Sequence, residues 1–404
     1  MTRRFPLNVC ALTIAALFTS TAVFAKTYTA SEQANRIAQE TIIVDGHIDV
    51  PYRVKNRWVD VTKATEDGDF DYPRAVKGGL NAPFMSIYVP ASLDNSPEST
   101  QLAHQLIDSV EAIVARAPDK FAIAKSPSDV KAQFEAGLIS LPMGMENGSP
   151  IQGSLDNLKA FYQRGIRYIT LAHSQANHIS DSSYDLRRKW KGLSPFGKQL
   201  VTEMNNIGIM LDISHVSDDA FYQVVEITKV PVIASHSSLR KFTPGFERNM
   251  NDDMIKALGE NGGVIMINFG SSFVDKAAGQ WRKGLTAARK ALIAEEGEDS
   301  PNLENFEATY REKVPYPYST LDQVLDHIDH VVELIGIEHV GIGSDYDGVG
   351  DSLPIGLKDV ASFPNLVQGL LDRGYSRQDI EKILSGNLLR VWQQVEDYAA
   401  KHSA

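Results

Sequence analysis

Seven side chains in this sequence share a chemical type and a place in the pattern. His47 and Asp49 close the apolar run that begins at Ile42, and Glu146 closes the stretch from Leu138. His173 ends Ile166–His173, His215 ends Ile209–His215, His236 ends Val230–His236, and Asp345 ends His339–Asp345. Each run reads as a buried strand breaking into polar chemistry at its C-terminal end. In a strand successive side chains alternate faces, so His47 and Asp49 point the same way and can share one divalent cation. A lone His-x-Asp is common. Of the ten histidines, however, four sit at such ends together with three carboxylates, and random placement rarely does this. The set is too large for one catalytic zinc and suits two ions sharing a bridging carboxylate and a bridging hydroxide. Glu146, with two oxygens, is the natural bridge.

Other polar residues have blander readings. His178, His327, His330 and His339 read as structural, with His327 and His330 three apart on a surface helix. His104 and His402 carry no signal. Asn147-Gly148-Ser149 matches a glycosylation sequon, which sits poorly beside a buried metal. Gly341 and Gly343 share parity with Asp345 and predict a bare inner wall below it, with Asp347 as the alternative acid. Asp45 faces the side of His47 and reads either as a residue orienting a ligand or as an ordinary buried acid bonded to backbone.

The elements that must position these residues alternate. The strands already named, with Ala82–Val89 and Gly263–Phe269, make eight. Between them fall helices at about Thr100–Ala117, Leu155–Arg164, Pro195–Asn206 (capped by Ser194), Ser217–Thr228, Asp252–Glu260 and Leu321–Ile335, and Asp379–Tyr398 closes the chain. Eight strand–helix units predict a (β/α)8 TIM barrel of the metal-dependent hydrolase type, whose active sites lie at the C-terminal ends of the strands. An open dinucleotide-binding sheet is disfavoured, because Asp45-Gly46-His47 stands where a Gly-x-Gly-x-x-Gly would follow the first strand. A charged, partly helical insertion spans about 271–317, before the last strand.

The 404 residues suit one such barrel with insertions, and 43% hydrophobic with 23% charged residues is ordinary for a globular protein. A formal charge of -11 argues against nucleic acid and anionic membranes as partners. Arg3-Arg4, the apolar run Val9–Phe18 and Val23-Phe24-Ala25 read as a signal peptide over 1–25, leaving 26–404 as a single catalytic domain. Cys10 lies inside that leader, so the mature chain has no thiolate and any metal must be held by His and carboxylates. The polar C-terminus supports no lipid-anchor signal, so no membrane anchor is expected in the mature chain. A periplasmic or secreted bacterial protein is expected.

The motifs Val44-Asp45-Gly46-His47-Ile48-Asp49, Gly144-Met145-Glu146-Asn147-Gly148, Leu171-Ala172-His173-Ser174, Leu211-Asp212-Ile213-Ser214-His215, Ala234-Ser235-His236-Ser237-Ser238, Arg248-Asn249 and Gly341-Ile342-Gly343-Ser344-Asp345-Tyr346-Asp347-Gly348 occur in this order. Together they resemble the membrane dipeptidase (renal dipeptidase) family, from about Ile42 to Arg390. The resemblance implies two Zn2+ per chain, one on His47, Asp49 and Glu146 and the other on Glu146, His215 and His236, bridged by Glu146 and a water or hydroxide. It implies that His173 stabilises the oxyanion, that Arg248 grips the free carboxylate of a dipeptide, and that Asp345 handles the proton passed to the leaving amine. It also implies a homodimer. The tryptophan that mammalian members carry after the position of His173 is replaced near Ile179 or Ser180, which leaves side-chain preference open.

The expected activity is therefore hydrolysis of dipeptides, including those with a C-terminal D-residue. A second reading keeps the site but changes the bond, to an N-acyl-amino acid or β-lactam, because Arg248 accepts any carboxylate. A third, a silent zinc- or peptide-binding protein, would predict loss of Asp345 or a bridging ligand, and both are present.

Overall fold

The computed structural model describes residues 27–402, so the leader expected over 1–25 lies outside the described residues. Eight parallel strands follow one another around a barrel in chain order. They are β1 (Ile43–Ile48), β2 (Leu80–Tyr88), β3 (Met143–Glu146), β4 (Ile166–Thr170), β5 (Met210–Asp212), β6 (Ile233–Ser237), β7 (Val264–Ile267) and β8 (Val340–Ile342). The seam between β8 and β1 is closed just beyond β8. There Asp345 N–H donates to the His47 carbonyl at 3.1 Å, and Asp49 N–H donates to the Tyr346 carbonyl at 2.9 Å.

The helices form where capping residues and apolar periodicity coincide. Ser194 caps Pro195–Ile207 and Ser217 caps Asp218–Ile227 through their side-chain oxygens, and Thr320 makes a capping box with Gln323 at the start of Leu321–Ile335. One large core lies between strands and helices. A second fills the barrel interior, where Val44, Phe84, Tyr168, Met210 and Met266 meet Leu388 and Trp392 of the C-terminal helix. Phe84 bridges the two sides, with ring centroids 5.3 Å from both Tyr168 and Trp392. Gly144 makes room for this plug, because a Cβ there would come within 2.0 Å of the Tyr168 ring.

Several expectations need correction. Leu138–Glu146 is not one strand: Ile139–Ser140 pairs with Phe121–Ala122 in a separate two-stranded sheet, and the barrel strand starts only at Met143. Pro142 stands at the break, with no N–H to carry a ladder through. Short helices at Glu32–Glu40, Val50–Asn56, Tyr72–Gly78, Pro127–Glu135 and Phe363–Asp372 were not anticipated. His327 and His330 lie on a buried helix face instead of a solvated one. The 271–317 segment holds helices at Ser271–Val274, Lys276–Glu296 and Phe306–Lys313.

Strict alternation also fails in β1. The pairing register slips between Asp45 and Ile48, so Val44 joins the interior cluster while His47, three residues on, still reaches Tyr168 inside the barrel. Asp45 does not share the direction of His47. Its carboxylate takes Ser344 N–H at 2.9 Å and the Ser344 hydroxyl at 2.5 Å, fastening the seam next to Asp345. The inner wall below Asp345 is not bare either. A Cβ on Gly341 would meet Met266 Sδ at 2.6 Å, and one on Gly343 would meet the Ser235 carbonyl at 1.9 Å. These glycines admit neighbouring protein, not substrate.

Candidate metal centre

Glu146 ends β3 almost fully buried at the C-terminal mouth of the barrel, and its two oxygens face two different sets of groups. Oε2 lies 3.5 Å from His47 Nε2, which in turn lies 3.5 Å from Asp49 Oδ2. Oε1 lies 3.1 Å from His215 Nε2, 3.4 Å from His236 Nε2 and 3.5 Å from His173 Nε2. Potential ligand atoms within 4.8 Å of one another form three overlapping groups: His47–Glu146–His236, Glu146–His173–His215 and His47–Asp49–Asp345. All seven side chains expected from the sequence thus converge at one end of the barrel.

The residues fit divalent metal. His47 Nε2 and Asp49 Oδ1 are buried without a hydrogen-bond partner, and polar atoms are seldom left so unless something else satisfies them. The Nε2 atoms of His215 and His236 face each other at 2.8 Å beside Glu146. Burial, helped by the Arg248 charge and by neighbouring histidines, pushes both rings well below the ordinary histidine range, which keeps them neutral as metal ligation requires. Burial works against the Glu146 charge, but the charge interactions with His47 and His173 hold it well below the ordinary carboxylate range.

Residues behind the centre set the orientation of the rings. The Ser235 hydroxyl donates to Asp212 Oδ2 at 2.7 Å, so toward His236 Nδ1, also 2.7 Å away, it can only accept. His236 therefore carries its proton on Nδ1 and turns the Nε2 lone pair toward Glu146. Asp212 is itself held by Ser214 and Ser235 N–H and by Thr170 Oγ1. His47 Nδ1 lies 2.8 Å from Tyr168 Oη, at the top of the apolar plug.

Asp345 hangs over the centre with φ of 63°, and His215 has φ of 70°, left-handed conformations uncommon outside glycine. A Cβ on Gly348 would come within 2.2 Å of Asp49 Oδ2 and 2.3 Å of Asp345 Oδ1, so only glycine allows the chain to pass both carboxylates. Burial first, against the pull of His47, and then the charges of Asp49 and Glu146 push Asp345 up to about 8, while an Asn268 Nδ2 hydrogen bond at 2.7 Å opposes them. A carboxyl in that range can hold and release a proton near neutrality. Arg248 is buried, with its terminal nitrogens donating to Ser237 Oγ and the His236 carbonyl, each at 2.7 Å, and its Nε unpartnered. A buried guanidinium with no carboxylate bound to it favours an incoming anion.

Sequence reasoning missed Tyr168, Asp212, Ser235 and Asn268. A signal existed for Asn268 alone, since it follows β7, the one late strand to which no residue was assigned. Asp347 is drawn off to Arg53 Nε at 3.2 Å and to Asp69 N–H, away from the centre. His178 bonds Asp94 at 3.0 Å, His339 bonds the Gly263 carbonyl at 2.8 Å, and His327 takes Leu239 N–H on Nδ1 and donates Nε2–H to the Val274 carbonyl. Asn147 is buried and donates to the Val89 carbonyl, so the sequon is not open to glycosylation. Ile179 is wholly buried, and the aromatic rings at the mouth are Tyr88 and Tyr184, with centroids 4.8 Å from His173 and 6.0 Å from His215 respectively.

The sequence pattern of the membrane dipeptidase family (peptidase family M19) matches residues 31–404. An uncharacterised dipeptidase of Schizosaccharomyces pombe is 31% identical over 386 residues, covering 92% of this chain and 85% of that protein. Dipeptidase tcpJ of Claviceps purpurea is 33% identical over 369 residues, covering 88% and 77%. Among solved structures, the probable dipeptidase PvdM from Pseudomonas aeruginosa superposes with a TM-score of 0.79 at 27% identity, over 91% of this chain and 98% of that one. A metallopeptidase from Rhodobacter sphaeroides, liganded with a phosphinate mimic of L-Ala-D-Ala, shares the fold with a TM-score of 0.72 at 24% identity, over 88% and 99%.

Proposed function

The chain belongs to the membrane dipeptidase family, a family of metallopeptidases, and from that premise we propose that it is an exported dinuclear zinc dipeptidase. In this reading residues 1–25 are removed and 26–404 act as one catalytic unit in the periplasm or outside the cell. His47, Asp49 and Glu146 would hold one Zn2+, and Glu146, His215 and His236 would hold the other. The observation that carries the reading is the division of Glu146, one oxygen toward His47 and the other toward His215 and His236. No helix among the described residues is long and apolar enough to cross a membrane.

When bound, the ions would supply Lewis acidity and make a water acidic enough to attack at neutral pH. The chain does the rest. The Arg248 guanidinium, with its free Nε, receives the C-terminal carboxylate and so fixes which amide lies over the centre. His173, partly open beside Tyr88, donates to the carbonyl oxygen as it gains charge. Asp345 takes a proton from the attacking water and delivers it to the nitrogen of the breaking C–N bond, releasing two amino acids. Because Arg248 reads only the carboxylate, substrates with a C-terminal D-residue are included, and L-Ala-D-Ala is the one to test first.

The test is zinc content of the purified protein together with hydrolysis of a panel of L,L and L,D dipeptides. Two zincs per chain, and a Glu146→Gln variant that holds fewer and loses about 10^3-fold or more in kcat/KM, are expected. One tightly held ion with normal activity in that variant would refute the bridge.

A further inference from the structure

Beside the centre, a groove of about 770 Å3 runs between the Lys276–Glu296 helix and the 243–246 loop. Lys276, Arg282, Lys283 and Lys290 line it with Tyr184 and Phe246, and no acid does. In a chain of net charge -11 this is a local inversion of sign. Lys276, Lys283 and Lys290 are seven residues apart and so project from one helix face, with Gly279 and Ala287 between them as small spacers along the groove. Basic side chains elsewhere in the molecule are commonly neutralised: Arg53, Arg74, Arg240, Arg311 and Arg373 each pair with an aspartate. Lys276, Arg282, Lys283 and Lys290 join no ion pair among the described residues.

A chain of ring contacts links the groove to the place proposed for the substrate carboxylate. The Phe246 ring packs 5.6 Å from Phe273, over which the Arg248 guanidinium lies at 5.4 Å. On the other side Tyr184, 43% exposed, has its ring 6.0 Å from both Phe246 and His215. Arg282 lines the groove together with Tyr184, whose ring reaches the centre at His215. A side chain leaving the residue gripped by Arg248 therefore meets the groove.

We infer that this groove is a subsite for an anionic side chain, so that the preferred substrates are dipeptides whose C-terminal residue is acidic. The inference rests on the dipeptidase reading and narrows it. Desolvation at the aromatic mouth strengthens the attraction, and the overall negative charge of the chain selects for a small anion over an extended polyanion. A long carboxylate reaches further into such a groove than a polar side chain that water satisfies equally well.

The isosteric pair L-Ala-L-Glu and L-Ala-L-Gln, assayed with L-Ala-L-Ala as reference, isolates the charge. Expected is a kcat/KM for the Glu peptide about tenfold above that for Gln at low salt, carried mainly in KM and shrinking as salt screens the groove. In the double variant Arg282→Gln with Lys283→Gln that ratio falls roughly five- to tenfold, the scale of two partly exposed charge pairs. Arg282→Glu with Lys283→Glu drives it below one. Circular dichroism and the denaturation midpoint verify that the variants fold, and the salt series on the unmodified protein gives the same answer without them. Hydrolysis of all three peptides with a ratio near one, insensitive to salt, overturns the subsite and leaves the dipeptidase reading intact. Failure to hydrolyse any of the three with zinc supplied overturns both.

Discussion

At the N-terminal end of the barrel, Val44, Phe84, Met210 and Met266 close on Leu388 and Trp392 with essentially no exposed surface. At the C-terminal end of the same strands stand His47, Glu146, His215, His236 and Asp345, all buried, with His47 Nε2 and Asp49 Oδ1 lacking partners. The first end is a packed, almost wholly apolar plug, in which the Trp392 Nε1 is left without a partner. The second gathers polar groups that leave one another incompletely satisfied, and it holds the left-handed residues His215 and Asp345. The boundary between them is a thin layer, in which Tyr168 touches the plug with its ring and His47 with its hydroxyl. The contrast teaches that the plug stabilises a geometry which the centre by itself would not favour.

Changes at the two ends are accordingly expected to separate stability from metal binding. Trp392→Ala, which empties a fully buried site in the plug, should cost about 4 kcal/mol of unfolding free energy in chemical denaturation while the folded fraction keeps its metal content. Parallel loss of metal affinity and stability in that variant would break the separation.

The next effect tests the ties between the catalytic-face loops and the outer helices. His327 sits wholly buried between Leu239 and Val274, and burial pulls its pKa from the ordinary 6.5 down to about 4. Between those values the unfolded chain binds a proton that the folded chain refuses, so stability is full above about 6.5 and is lost as pH falls toward 4. The contribution is about 3 kcal/mol. Denaturation midpoints measured across that window should fall less steeply in His327→Gln than in the parent, and equal slopes would remove His327 from the account.

The smallest expected effect lies at the centre. Ser235→Ala frees His236 Nδ1 from its fixed acceptor and should weaken metal binding roughly 10- to 100-fold by chelator competition, with about 1 kcal/mol of stability lost. Unchanged affinity would show that the Asp212–Ser235–His236 chain orients nothing.

The amino-acid sequence by itself determined the barrel and the chemical identity of its mouth. Alternating apolar runs and capped helices specify a parallel sheet locally, and the residue ending each run is readable because strand ends of such barrels meet on one face. Ser194 and Ser217 were legible as helix starts for the same local reason. What the sequence could not convey depends on contacts far apart along the chain. The slip in β1 that turns Asp45 to Ser344, a partner 299 residues away, has no local signature. Nor does the filling of the space at Gly341 and Gly343 by Met266 and Ser235, or the capture of Asp347 by Arg53. Parity predicts a direction only while the register holds, and a glycine records close approach without saying by what. Which proton each histidine carries was likewise decided by tertiary structure, because a ring's tautomer follows the group that the fold brings to its other nitrogen.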